Sequence, residues 1–335
     1  MANPVRALAE QFVRRSPMTL IAFGIALSLT DFLVLYTASA HEGVLYINQG
    51  VGMFNNYGLF STLVGNAFFL YLAKKYYDNI CLMRASKSVV DTAPIEESLS
   101  VLTDMIKMRR EYQFGIYIFI IIGFIFWVKN VTNHFINPEA TWGHKVFDSP
   151  DHPLTFIASR LHYIYTLLIL SFLAHVIIFS SIQLWRAIAQ ASHARALTYD
   201  LLNPDQRGGF GFVDKAAIAF NFVVAIVYIQ ITMHIETFKR NPEHIFSYVV
   251  LTVLLVLINT MFLGSIYAPI KTLRLESLNK VKEKVFKDDT LSFEVLKYCY
   301  KRRISMSSIV NFAINSGAIL ISGIIQLARH YGIVH

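Results

Sequence analysis

The stretch HYIYTLLILSFLAHVIIFSSIQLW, residues 162–185, runs for 24 positions without an Asp, Glu, Lys or Arg. As a helix it is about 36 Å long, enough to cross the ~30 Å hydrocarbon core of a bilayer. Six other long apolar runs flank it, and spans are predicted at 18–39, 57–74, 114–131, 162–185, 216–234, 246–268 and 305–326. The composition of the 335 residues agrees, with 55% hydrophobic and 16% charged, where a soluble domain carries about a quarter charged residues. A soluble enzyme, a disordered chain and a disulfide-rich secreted module are excluded. So is an outer-membrane barrel, whose strands alternate polarity over only about ten residues. The expected fold class is all-α, a polytopic helical membrane bundle of about seven transmembrane helices with cytosolic amphipathic helices. The chain, 1–335, reads as one transmembrane domain, with cytosolic helical segments at 75–113 and 269–304.

Orientation follows from the basic residues. With the N-terminus cytosolic, the inner segments 1–17, 75–113, 186–215 and 269–304 hold 3, 7, 4 and 10 Lys and Arg, Lys74 at the inner end of the second span being counted with the second. The other six are Lys129, Lys145, Arg160, Lys239, Arg240 and Arg329. An excess of Lys and Arg in short loops marks the cytosolic side. The expectation is therefore a multi-pass protein of the bacterial inner membrane, N-terminus inside and C-terminus outside. Arg14 and Arg15 before an apolar run ending Ala38-Ser39-Ala40 imitate a signal peptide. The run is too long for one and contains Asp31, so 18–39 reads as a retained span. Cys81 and Cys299 both fall on the cytosolic side, where thiols stay reduced.

The cytosolic segments carry their own helical pattern. Asp91-Thr92-Ala93-Pro94 supplies a cap and a first-turn proline. Ile95, Leu99, Leu102 and Ile106 then recur at three- and four-residue steps. After Pro269, Leu278, Val281 and Val285 form a stripe surrounded by Lys280, Lys282, Lys284 and Lys287, and Lys301-Arg302-Arg303 leads into the last span. Such helices usually pack on one another; a basic platform for an anionic partner is the functional alternative. The loop Leu202-Asn203-Pro204-Asp205-Gln206-Arg207-Gly208-Gly209-Phe210-Gly211-Phe212 adds three glycines in four positions. Left-handed glycines expose consecutive N–H groups that can cradle an anion. Arg207 would supply a bidentate fork for phosphate. The plainer expectation is a tight re-entry turn, with Phe210 and Phe212 anchoring at the membrane interface.

Polar residues inside the spans are costly, about 2.5–3.5 kcal/mol for an Asp at mid-bilayer. Asp31 lies near the middle of the first span, with Asn66, Asn259 and Asn315 at similar depth in others and Asn311 one turn from Asn315. These five are the candidate pore-lining residues. The asparagines alone would serve as interhelical glue, worth about 0.6 kcal/mol each. Asp31 has no Lys or Arg near its depth, so it is expected to face water, an amide cluster or another subunit. One Asp31 from each subunit would make an acidic ring suited to cations.

Other chemistries fit less well. His162 and His175 in one span suggest a b-type haem. Thirteen residues separate them, however, leaving the rings roughly 140° apart on an ideal helix, and the other candidates, His134, His234, His244 and His330, fall at or beyond the outer edge. The outer loop's His134, His144 and His152, with Asp148 and Asp151, lack any metal-site spacing such as HExxH. Neither a nucleophile elbow nor a protease pair of aspartates is present. No catalytic residue, metal or cofactor is expected. A transporter is the alternative to a channel, although no internal repeat is visible.

The Gly208-Gly209-Phe210-Gly211-Phe212 loop resembles one found in bacterial multi-span proteins. The overall plan is similar to the membrane effectors of bacterial anti-phage defence systems of the Hailong type. That resemblance implies a homo-oligomeric ion channel, a tetramer, gated from the cytosolic side by a nucleotide or DNA oligomer made by a partner enzyme. Arg207, Gly208, Gly209, Lys280, Lys282, Lys284, Lys301, Arg302 and Arg303 would form the input surface, since phosphates are bound chiefly through Lys and Arg.

Overall fold

The computed structural model describes residues 10–46, 52–54, 56–85, 151–201, 203, 208–237 and 266–283, with further single positions at 96, 100, 117, 118, 120, 121, 124, 125, 128, 253, 264 and 317. Among these residues the fold is all-helical. Its main helices are α1 (Pro17–His41), α2 (Tyr57–Cys81), α3 (Pro153–His193) and α4 (Gly211–Thr237). A fifth, α5, covers 266–283. Three segments are long and apolar enough to cross a membrane: α1, α3 and the part of α4 up to Gln230. The chain is thus a helical membrane protein by length and composition. The spans expected at 246–268 and 305–326 fall almost wholly outside the described residues. The described positions of 114–131 are helical, as are Glu96 and Ser100 in the segment after Pro94.

Each helix end has a local cause. Ser16 caps α1 by accepting from the Thr19 N–H at 3.2 Å, with Pro17 in the first turn. Asn56 does the same for α2 through Leu59 N at 3.0 Å. At its other end α1 stops in a Schellman turn. Gly43 sits at φ 71°, its N–H bonds Ala40 O at 3.3 Å, and the Val44 N–H bonds Ser39 O at 2.9 Å. α3 ends in the same motif, but there the left-handed position is Arg195, at φ 53°.

α2 is the hub. It packs against α1, α3 and α4, and it buries Phe69, Ala73, Tyr76 and Ile80 almost completely. Only 22% of the apolar window of α1 is buried, against 61% for α3 and α4, so α1 presents most of its surface outward. This division explains why α2 can carry Asn66, Lys74 and Asp78: a helix enclosed by neighbours need not satisfy lipid. Glycines set the approach. A Cβ on Gly24 of α1 would lie 2.4 Å from the Ala67 carbonyl oxygen, so the two backbones nearly touch there.

α3 has 41 residues, about 62 Å of helix, roughly twice a bilayer core. It starts nine residues before the expected span and ends eight residues after it. α2 likewise runs past residue 74 to Cys81, placing Lys74 inside the fold, only 5% exposed. Its ammonium donates to Val13 O at 2.9 Å and Asp78 Oδ1 at 2.6 Å, beneath the rings of Phe12 and Tyr77. Phe12, itself buried, meets Phe172 edge-on at 5.1 Å, which docks the residues preceding α1 onto α2 and α3.

Candidate functional site

The charged group expected to lack a partner has one. His162 Nδ1 of α3 lies 2.5 Å from Asp31 Oδ2 of α1, and both side chains are largely buried, 8% and 12% exposed. Both sit well inside their helices, Asp31 near the middle of α1 and His162 nine residues in from the start of α3. In a low-dielectric seam a lone carboxylate is costly, whereas a carboxylate facing an imidazole gains a hydrogen bond and, with an imidazolium, carries no net charge.

The neighbours of the pair are polar and come from three helices. Ser28, one turn before Asp31, is buried, and the Tyr165 hydroxyl, one turn after His162, faces Ser28 and the Asp31 charge. Thr166 on α3 accepts from the Asn66 side-chain amide of α2 at 2.9 Å, and Asn66 is fully buried. The oxygen of that amide, Oδ1, has no hydrogen-bond partner among the described residues. Two of the five candidate pore-lining residues, Asp31 and Asn66, therefore belong to one cluster. Asn259, Asn311 and Asn315 lie outside the described residues.

Glu42 holds one end of this seam. Its carboxylate accepts from the N–H groups of Leu154 and Thr155 at 2.8 and 2.9 Å, capping α3 from the end of α1. Desolvation pushes the Glu42 pKa up, but the nearby Thr155 side chain, the bonds from the N–H groups of Thr155 and Leu154, and the nearby His152 outweigh it, so the net shift is downward. Between this cap and the pair lies an open apolar groove of about 650 Å³, lined by Leu33, Val34, Thr37, Ile157 and Leu161 among others.

The residues expected to receive an anion are divided. Gly208 and Gly209 adopt the left-handed angles anticipated for them, φ 67° and 91°. Gly208 is buried, however, and a Cβ there would collide with the Tyr199 ring at 2.4 Å. Phe210 and Phe212 do not anchor at an interface. Both are core residues, 2% and 4% exposed, with Phe210 stacked on Tyr199 at 6.2 Å. Asp214 in the first turn of α4 accepts from the Tyr267 hydroxyl at 2.6 Å, and Ser277 of α5 bonds Tyr199 O at 3.3 Å. The loop thus joins α3, α4 and α5. On α5, Leu278 is buried and Val281 half-buried while Lys280 and Lys282 are exposed, the division read from the stripe. Arg207, Lys284, Lys301, Arg302 and Arg303 lie outside the described residues.

His162 is the residue that sequence reasoning missed as a partner of Asp31. The signal was present, an aspartate at 31 and a histidine at 162, each in a long apolar run. Placing the start of the span at 162 put the imidazole at the membrane edge, too shallow to reach Asp31. No protein-family model matches the chain, and comparison with curated proteins and with solved structures finds no match either.

Proposed function

We propose that the chain is an ion-conducting protein of the bacterial inner membrane. In this reading it works as a homo-oligomer, N-terminus in the cytosol and C-terminus outside, and opens in response to an anionic signal received on its cytosolic face. The observation that carries the proposal is the buried Asp31–His162 pair, with the Asn66–Thr166 bond one turn further along α3, inside long apolar stretches of α1 and α3. Ionisable residues inside membrane spans are rare, pair with one another and mark ion or substrate pathways. The pair changes one feature of the simplest channel picture. An acidic ring built from Asp31 of several subunits requires Asp31 to leave His162, so the path starts at the seam between α1 and α3 of each chain.

The exposed Lys280 and Lys282 of α5, next to the Tyr199–Asp214 junction, support an input surface for a phosphate-bearing ligand. The resemblance to Hailong-type effectors makes a nucleotide or DNA oligomer the expected class and anti-phage defence the expected setting. The test is ion flux across liposomes containing the purified chain, wild type against Asp31→Asn. Flux that the substitution alters supports the proposal. Flux with unchanged size and selectivity removes Asp31 from the path.

A further inference from the structure

We infer that the Asp31–His162 pair is a proton-binding site and that the ion it passes is the proton, an inference that rests on the conducting role proposed above. The distance decides between cations. With Asp31 Oδ2 and His162 Nδ1 only 2.5 Å apart, no alkali or alkaline-earth ion fits between them. Such ions also need about six to eight oxygen ligands, the calcium case, or a shell of retained water, the magnesium case. Here the carboxylate already faces a nitrogen. A proton is the one cation that occupies a gap of this width, since short charge-assisted hydrogen bonds are its ordinary home.

The transfer balances without any other reactant. When the imidazolium Nδ1–H bond breaks, its electron pair stays on the ring, and a lone pair of Asp31 Oδ2 forms the new O–H bond. The pair is neutral before and after, so the proton moves without creating a net charge in a low-dielectric seam. A second proton, entering from either side, makes the pair cationic and drives the first onward.

The surroundings leave these two groups in control. On α1 the only other titratable side chains are Tyr36 and His41, beyond the next turn. On α3, Tyr165 faces the pair, while the Arg160 guanidinium is stacked over the Phe156 ring at 4.6 Å. On α2, Asn66 bonds Thr166, one turn after His162, and is a neutral amide; Lys74 and Asp78 lie two turns or more further along, bound to each other. Ser28, Tyr165, Thr166 and Asn66 are hydroxyls and an amide, able to relay a proton but not to hold one at ordinary pH.

The experiment loads liposomes with a trapped pH indicator and drives protons inward with a potassium diffusion potential. Wild type should acidify the lumen. Asp31→Asn and His162→Gln each keep a hydrogen bond across the seam but leave a single titratable group, so no proton can be exchanged across the pair, and acidification should slow on the order of a hundredfold. Size-exclusion profiles matching wild type confirm that both variants fold. Proton flux unchanged in both variants overturns the inference. Sodium flux without proton flux also overturns it while leaving the conducting role intact. A readout independent of conduction is the pH-difference infrared spectrum of the reconstituted chain. A carboxylic-acid band that disappears in Asp31→Asn supports the site. A spectrum with no such band across the whole pH range of the folded protein overturns it.

Discussion

Gly24→Ala tests the packing that brings α1 close enough for Asp31 to reach α3. The added methyl would lie 2.4 Å from the Ala67 carbonyl oxygen, 3.1 Å from its carbonyl carbon and 3.4 Å from its Cα. Carbon contacts relax at about 3.5–4.0 Å, so α1 must withdraw by roughly 1 Å. The obstacle is backbone within a helix and cannot turn aside. Overpacking of this kind costs about 1–3 kcal/mol, and removing a helical glycine returns about 0.5–1 kcal/mol. A net loss of about 1–2 kcal/mol is therefore expected. Gly65→Ala is the internal comparison. Its methyl would meet Gln230 Nε2 at 2.1 Å, the far end of a flexible side chain whose own bonds to Ser61 O and Thr62 O are long, at 3.4 and 3.5 Å. Gln230 can swing away, so Gly65→Ala should cost less, and Gln230→Ala should relieve much of that cost in the double variant. The assay is reversible unfolding in mixed micelles with increasing dodecyl sulfate, followed by far-ultraviolet circular dichroism. A Gly24→Ala variant as stable as wild type, or less affected than Gly65→Ala, would refute the reasoning.

Four further outcomes follow from other contacts. Lys74→Met removes the bond to Val13 O and the ion pair with Asp78, so trypsin should cut faster at Arg14 and Arg15 while the far-ultraviolet spectrum stays the same. Arg195→Gly replaces a left-handed arginine with a residue that adopts that angle freely, and should raise stability by about 1 kcal/mol in the same unfolding assay. Tyr267→Phe removes the bond to the Asp214 carboxylate and should cost about 1.5–3 kcal/mol, read as a lower unfolding midpoint. Glu42 has its folded pKa below the ordinary value, so its contribution is present above the unfolded pKa and is lost as pH falls through the folded one. Thermal stability of wild type should therefore drop in mild acid by more than that of Glu42→Gln, and equal pH dependence would show that the cap contributes nothing.

Much of the candidate site was legible only in halves. Asp31 and Asn66 stand out in the sequence because polar groups in apolar runs are rare and costly, and the structure brings both to one seam. Their partners, His162 and Thr166, did not stand out as partners. His162 draws notice only with His175 as a haem candidate, at a span's edge rather than at the depth of Asp31, and a threonine in a helix has an ordinary local use, bonding the carbonyl one turn back. The left-handed glycines at 208 and 209 were readable because few residues tolerate those angles. The burial of Phe210 and Phe212 was not, since an aromatic beside a span fits an interface and a core equally well.

What the sequence by itself determined is the solvent of this protein. Long charge-free runs and few charged residues point to helices in a membrane, because hydrophobic length and charge are properties of the chain alone. The tertiary structure decided where the helices end and which charges meet. α3 starts well before its apolar stretch, where Glu42, at the end of α1, caps its first turn. Lys74 is buried because residues 12 and 13 supply an aromatic roof and a carbonyl. Asp31 meets His162 because Gly24 lets α1 lie against α2 beside α3. Each of these depends on atoms far apart in the chain, and no local pattern of residues encodes such a distance.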